Sequence, residues 1–454
     1  MMRRILLSVT ALALCTAASA AERTALVGGR LIDGLLGPPI ANSVILVNGE
    51  TIEAVGTVDS LPVPDGYTRI STEGMSVLPG LWEMHAHLML TGHADYAHWQ
   101  TAYPDRFASE IMPASAHQLL LAGITTARDL GAPLEDALSV RDRIASGEIP
   151  GPRLFVAGPF LQHRPYPGTE RYRWGVEGVR DAREKVRRLA EAGVDLIKLV
   201  DQDEMTFEEA LAVVDEAHRH GLPVVGHSHR PDEIRRGLAI GVDNFEHTGL
   251  AAAPEYPPDI MELLRERTAT GRVRGGPLYW TPTVEGLWNF DELVANPEKL
   301  DNDCWHLGLA DDTIADIRAS IASPKALPYF DLTPKRKPTL VRKVQQLREA
   351  GVVLLIGTDS GIPMKFHCQS TWNELDVWVR VMGIPAHEAL RAATYWPAKM
   401  MRVQNQWGTV TAGKYADIIA VRGDVLKHIN LLQRVDFVMK GGQVYKQDGK
   451  PVGH

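Results

Sequence analysis

Pro79-Gly80-Leu81-Trp82-Glu83-Met84-His85-Ala86-His87-Leu88 reads as a buried strand opened by a turn. Residues i and i+2 of a strand share a face. His85 and His87 therefore project together from one rigid platform. Two neutral imidazoles side by side make half of a site for a borderline divalent cation such as zinc. A pair of hydrogen-bonded core histidines has the same spacing, so the decision rests on what lies downstream.

Downstream, one unit recurs: a helical stretch ends at a glycine and a short apolar strand follows. The strands so marked are 123–129, 193–198, 221–227, 241–247 and 351–359. Glycine just past a helix is a common stop signal. The helix over 206–220 also shows its start, because Thr206 with Glu209 forms a capping box. Helices alternating with buried strands imply a parallel sheet. Adding the His85 strand, 153–158 and 278–283 gives eight strands. The fold class predicted is α/β, a (β/α)8 TIM-type barrel, with a doubly wound open sheet as runner-up. Residues 285–337 are long for one barrel connection and read as a lid or insertion.

The chain ends have a different texture. Residues 25–27, 43–47 and 51–55 are β-type runs, with Asn48-Gly49 as a hairpin signal between the last two. Residues 416–421, 435–439 and 443–445 are similar. Strands left apart at each terminus would leave open edges. Both termini are therefore expected to build one small composite β-sandwich domain. The division predicted is 1–20 as signal peptide, 21–78 and 403–454 as the two parts of the β-sandwich, and 79–402 as the barrel.

Met1-Met2-Arg3-Arg4, an apolar run from Ile5 to Thr16 and Ala18-Ser19-Ala20 together form a cleavable leader, with cleavage expected after Ala20. The mature protein is expected to be periplasmic or secreted, without a membrane span. The formal charge of −8 becomes more negative by two when Arg3 and Arg4 leave, and no basic stripe points to nucleic acid. Cys304 and Cys368 then remain, and whether they pair is left open, as is homo-oligomer formation.

Active sites of such barrels lie at the C-terminal ends of the strands. His85 and His87 end strand one, Lys198 strand four, His227 strand five, His247 strand six and Asp359 strand eight. Each alone has an ordinary reading: a hydrogen-bonded histidine, or a turn-forming aspartate before Ser360-Gly361. Their concentration on one rim is the signal. Lys198 lies between Ile197 and Leu199 on a strand that should be buried, where an unpaired ammonium is expensive. Addition of carbon dioxide would turn it into a carbamate able to bridge two cations. The alternative is a lysine that snorkels outward or pairs with Asp195 or Asp201.

The segments 80–87, 123–131, Ile197-Lys198, 245–249, 357–361 and 408–419 resemble the amidohydrolase superfamily. The closest branch looks like its imidazolonepropionase-like and prolidase-like (Xaa-dipeptidase) members, which hydrolyse dipeptides and related amides. The resemblance implies two divalent metal ions, with zinc expected. His85, His87 and Asp359 would hold one, His227 and His247 the other, and carboxylated Lys198 would bridge them. His229 competes for the His227 role, since Gly226-His227-Ser228-His229 puts both on one face. Related members often carry Gly-Gly-His-Gly after strand three, and residues 158–166 here do not. His163, Arg164, Tyr166, Arg230 and Tyr279 are candidate substrate-binding residues, arginine being suited to a carboxylate.

The expected activity is metal-dependent C–N amide hydrolysis of dipeptides or N-acyl amino acids, with Asp359 as the proton-transfer group. A mononuclear deaminase or cyclic-amide hydrolase is one rival. A non-catalytic scaffold is the other, though such scaffolds typically lack the ligands kept here.

Overall fold

The computed structural model describes residues 22–249, 252–270, 277–322 and 328–452. The leader and its cleavage point lie outside them. The local signals act as their chemistry dictates. Thr206 Oγ1 accepts from the Glu209 N–H at 3.2 Å while the Glu209 carboxylate accepts from the Thr206 N–H at 2.9 Å, which starts helix Phe207–Arg219. Helix Gly178–Ala192 stops at Gly193, whose φ of +87° suits a residue without Cβ.

All eight expected strands form: β1 (Leu81–Ala86), β2 (Ile124–Asp129), β3 (Arg153–Val156), β4 (Ile197–Leu199), β5 (Val224–His227), β6 (Asn244–Glu246), β7 (Tyr279–Thr281) and β8 (Val353–Leu354). Their pairings are parallel. They fall into two sheets, β1-β2-β3 and a second running from β4 through β8. The second sheet carries two extra strands on its β4 edge, Phe160–Gln162 and Arg173–Gly175. Backbone bonds span both seams. Asp359 N–H donates to the His85 carbonyl at 2.7 Å and His87 N–H to the Ser360 carbonyl at 2.9 Å. Asp195 N–H donates to the Val156 carbonyl at 2.9 Å. A Cβ on Gly357 would stand 2.8 Å from the His85 backbone nitrogen, so glycine is what lets the β8 segment approach β1. The parallel βα units and the terminal strands match a TIM-type barrel with a β-domain.

The chain ends pair directly. Met75–Pro79 runs antiparallel to Ile418–Arg422, from Met75 opposite Arg422 to Pro79 opposite Ile418. The terminal strands make one nine-stranded hydrogen-bonded sheet. Leu26, Ile45, Val77, Ile418 and Phe437 are buried together on it. Burial of such apolar surface contributes on the order of 25 cal/mol per Å² and fixes the register of the joined ends.

The described residues of 285–337 form a helical insertion. Helix α1 (Tyr96–Ala102) follows β1, and the insertion brings helix Gly286–Ala295, α2 (Asp311–Ile321) and the start of α3 (Pro328–Glu349). A disulfide joins Cys304 in this insertion to Cys368 after β8. Among the described residues, no helix is long and apolar enough to cross a membrane.

Candidate metal centre

The strand ends and the turns after them converge on one cavity of ≈ 250 Å³, bordered by His87, His227, His229, His247 and Asp359. His85 Nε2 and His87 Nε2 lie 3.4 and 3.1 Å from Asp359 Oδ1. His227, His229 and His247 form a second set, with one ring nitrogen of each within 4.8 Å of the others. The two sets adjoin, since the His85 and His247 ring centroids are 4.8 Å apart. Asp359 and His247 have φ of +64° and +76°, and Thr283 beside them +50°. Such left-handed backbone is unfavourable for these residues and clusters at functional sites.

Lys198 is fully buried, and its Nζ has no hydrogen-bond partner among the described residues. Burial lowers its pKa to about 8. Its charge in turn helps depress His85, His227 and His247, although burial is the larger cause for each. His229 is lowered to about 3, again chiefly by burial. Neutral imidazoles are the ligand-competent form. Burial alone would raise Asp359, but His85 and His87 beside it hold its carboxyl well below the usual range.

The donor set fits a pair of divalent cations. His85 Nε2, His227 Nδ1, His229 Nδ1 and Lys198 Nζ are all buried without a hydrogen-bond partner among the described residues. Polar atoms in that condition are costly unless something absent from the protein atoms engages them. The surrounding bonds orient the rings. His85 Nδ1 lies 2.8 Å from Glu246, which Arg128 Nη2 and Asn244 Nδ2 also hold at 2.7 and 2.8 Å. His247 Nδ1 lies 2.9 Å from Thr283 Oγ1. Glu83 accepts from the backbone N–H groups of His85 and Thr358 and from the hydroxyls of Thr358 and Thr371. It thereby ties β1 to the turn carrying Asp359.

The structure thus brings His85, His87, His227, His247, Asp359 and buried Lys198 together, and adds His229 on equal terms with His227. It brings none of the five expected substrate residues to the cavity. Tyr279 begins β7 rather than ending it, and packs with Met84, Leu196, Val225 and Met400 beneath the site. Arg230 precedes helix Pro231–Ile240 and is taken up by Asp203 and Asp201 at 2.6 and 3.1 Å. His163 is half-buried just beyond strand Phe160–Gln162 and does not border the cavity. Arg164 and Tyr166 are exposed, and neither borders the cavity.

Other side chains border the cavity instead. Phe160, Leu287, Phe290 and Ile362 make it largely apolar, with Arg173, Arg336 and Lys365 as its cations. Arg336 is buried and bonds the Gly249 carbonyl through Nε and Nη2 at 3.2 and 2.9 Å. Arg173 lies over the Phe160, Tyr166 and Tyr172 rings at 4.9, 4.6 and 5.7 Å. The sequence signal for Glu83, Arg128 and Glu246 was the one that singled out Lys198: a charged residue inside a buried strand. Arg336 carries no such signal, because it sits on a helix of the insertion.

A model of the amidohydrolase family matches residues 76–445. The chain is 26% identical to ochratoxinase from Aspergillus niger, over 94% of this chain and 88% of that protein. It is 26% identical to imidazolonepropionase from Micrococcus luteus, over 87% of this chain and 90% of that one. The solved structure of a Xaa-Pro dipeptidase with methionine bound in its active site superposes with a TM-score of 0.69, at 26% identity, over 94% of this chain and all of the other.

Proposed function

This chain belongs to the amidohydrolase family, and from that premise we propose that it is a binuclear peptidase-type amidohydrolase acting on dipeptides or N-acyl amino acids. One observation carries the proposal. Buried Lys198, without a partner, lies close enough for its charge to act on His85, His227 and His247, members of the two three-residue ligand sets. His85, His87 and Asp359 would hold one divalent cation, and His227 and His247 the other, with zinc as the expected metal. Lys198 would react with carbon dioxide as the neutral amine, forming an N–C bond and releasing one proton. The resulting carbamate removes the buried ammonium and offers two oxygens. Divalent cations at these positions supply Lewis-acid polarisation of a carbonyl and acidification of water.

Asp359 is the proton carrier. His85 and His87 keep it ionised, so it can accept the proton of attacking water. Transfer of that proton to the scissile nitrogen lets the amine leave. The apolar wall of Phe160, Leu287 and Phe290 suits a hydrophobic side chain, and Arg336 suits the free carboxylate of the C-terminal residue. The methionine bound by the Xaa-Pro dipeptidase fits that picture of an amino-acid product.

We further infer export, from the sequence leader and from the Cys304–Cys368 bond, which an oxidising compartment preserves. The test of activity is a hydrolysis screen with zinc-loaded protein. Release of free C-terminal amino acid from dipeptides or N-acyl amino acids is expected. Turnover confined to ring amides or aminated bases would reassign the substrate class.

A further inference from the structure

A separate cluster stands between the segment after β1 and the insertion. His93 is 4% exposed, and its Nε2 lies 3.5 Å from Asp316 Oδ2 on α2. His98 on α1 places its own Nε2 2.8 Å from that same oxygen. The three donor atoms lie within 4.8 Å of one another. The two imidazole rings are 5.4 Å apart.

The close pair at 2.8 Å joins His98 to Asp316, and His93 Nε2 stands beside it at 3.5 Å. The buried His93 Nε2 has no hydrogen-bond partner among the described residues. Its Nδ1 lies 3.0 Å from the Asp95 carbonyl. The Asp95 N–H also lies 3.0 Å from Nδ1; in the tautomer whose Nδ1–H donates to the Asp95 carbonyl, the Nε2 lone pair is aimed at a carboxylate oxygen. In that tautomer two acceptors converge beside a half-exposed carboxylate, and a cation between them would satisfy both. Donors about 2.0–2.1 Å from a tetrahedral ion stand roughly 3.3 Å apart. The separations to Asp316 of 2.8 and 3.5 Å bracket that spacing. The Tyr103 hydroxyl donates to Asp316 Oδ2 at 2.7 Å and orients the carboxylate, as outer partners of metal ligands do.

We propose that His93, His98 and Asp316 form a further divalent-cation site, distinct from the barrel cavity and suited to zinc, nickel or copper. A water would complete the four-coordinate shell. The ion would staple α1 to α2. Because α1 also supplies Tyr96 and Gln100 to the cavity wall, the staple would fix one side of the substrate cavity from outside.

The probe is zinc alone, applied to full-length protein, dialysed and then counted by elemental analysis. Asp316→Asn and His98→Gln are each expected to hold one equivalent less than wild type. The stabilisation against heating conferred by added zinc is expected to shrink in both. His98 is half-exposed, so His98→Gln tests the site even if Asp316→Asn folds poorly. Equal zinc content in wild type and a folded His98→Gln protein would overturn the assignment.

Discussion

His85 Nδ1 lies 2.8 Å from one oxygen of Glu246, and Arg128 Nη2 lies 2.7 Å from the other. All three side chains are fully buried. The carboxylate engages Nδ1 and turns Nε2 toward Asp359, so a residue outside the cavity selects the ring nitrogen that faces Asp359. Replacing Glu246 with Gln keeps the shape but can present an N–H in place of an acceptor. Zinc affinity is expected to fall by about 10- to 100-fold, with the fold retained, as measured by competition against a chelator. Unchanged affinity would show that packing alone holds His85.

His227 and His229 are separable by the same kind of measurement. Their rings are 4.7 Å apart, and His229 stacks on His247 with an interplanar angle of 10°. His227→Asn is expected to lose one equivalent of zinc. His229→Asn is expected to keep its zinc and to raise KM. The reverse pattern would exchange their roles.

Arg336 gives a prediction about substrate. If it receives the C-terminal carboxylate, Arg336→Gln should raise KM for dipeptides by about 10- to 100-fold, the worth of a charged hydrogen bond. The same substitution should barely alter turnover of C-terminally amidated analogues. An equal loss on both substrates would assign Arg336 to packing of the insertion.

Much of the fold was legible because its signals are local. A glycine stop, an apolar run and a polar strand end recur in consecutive residues, so all eight strands and the clustering of His85, His87, Lys198, His227, His247 and Asp359 could be read in order. The substrate wall was not legible, because it depends on distant pairing. Arg230 is occupied by Asp201 and Asp203 from the loop after β4, which nothing around Arg230 announces. From this segment the rim takes Thr283, while Tyr279 packs into the core below. Arg336 reaches the cavity only because the insertion folds back over it.

Glu285 predicts how stability responds to pH. Both its carboxylate oxygens are buried without hydrogen-bond partners among the described residues, and Lys365 Nζ is 3.7 Å away. Burial pushes its pKa up to about 8 from an ordinary 4.5, and Lys365 offsets this only in part. The folded protein therefore holds this proton where the unfolded chain has released it. The stabilising contribution is complete below pH 4.5 and is lost as pH rises toward 8. Relative to wild type, Glu285→Gln should gain stability progressively across that window, measured by denaturant unfolding at several pH values. A pH-independent difference would contradict the raised pKa.

The most direct measurement is an anomalous difference map at the zinc edge, from crystals of the zinc-loaded protein. Two peaks are expected in the barrel cavity. One should lie among His85, His87 and Asp359, the other among the His227 and His247 rings, with density for an added carboxylate on Lys198 joining them. A cavity with one peak or none, and an unmodified Lys198 amine, would contradict the binuclear centre.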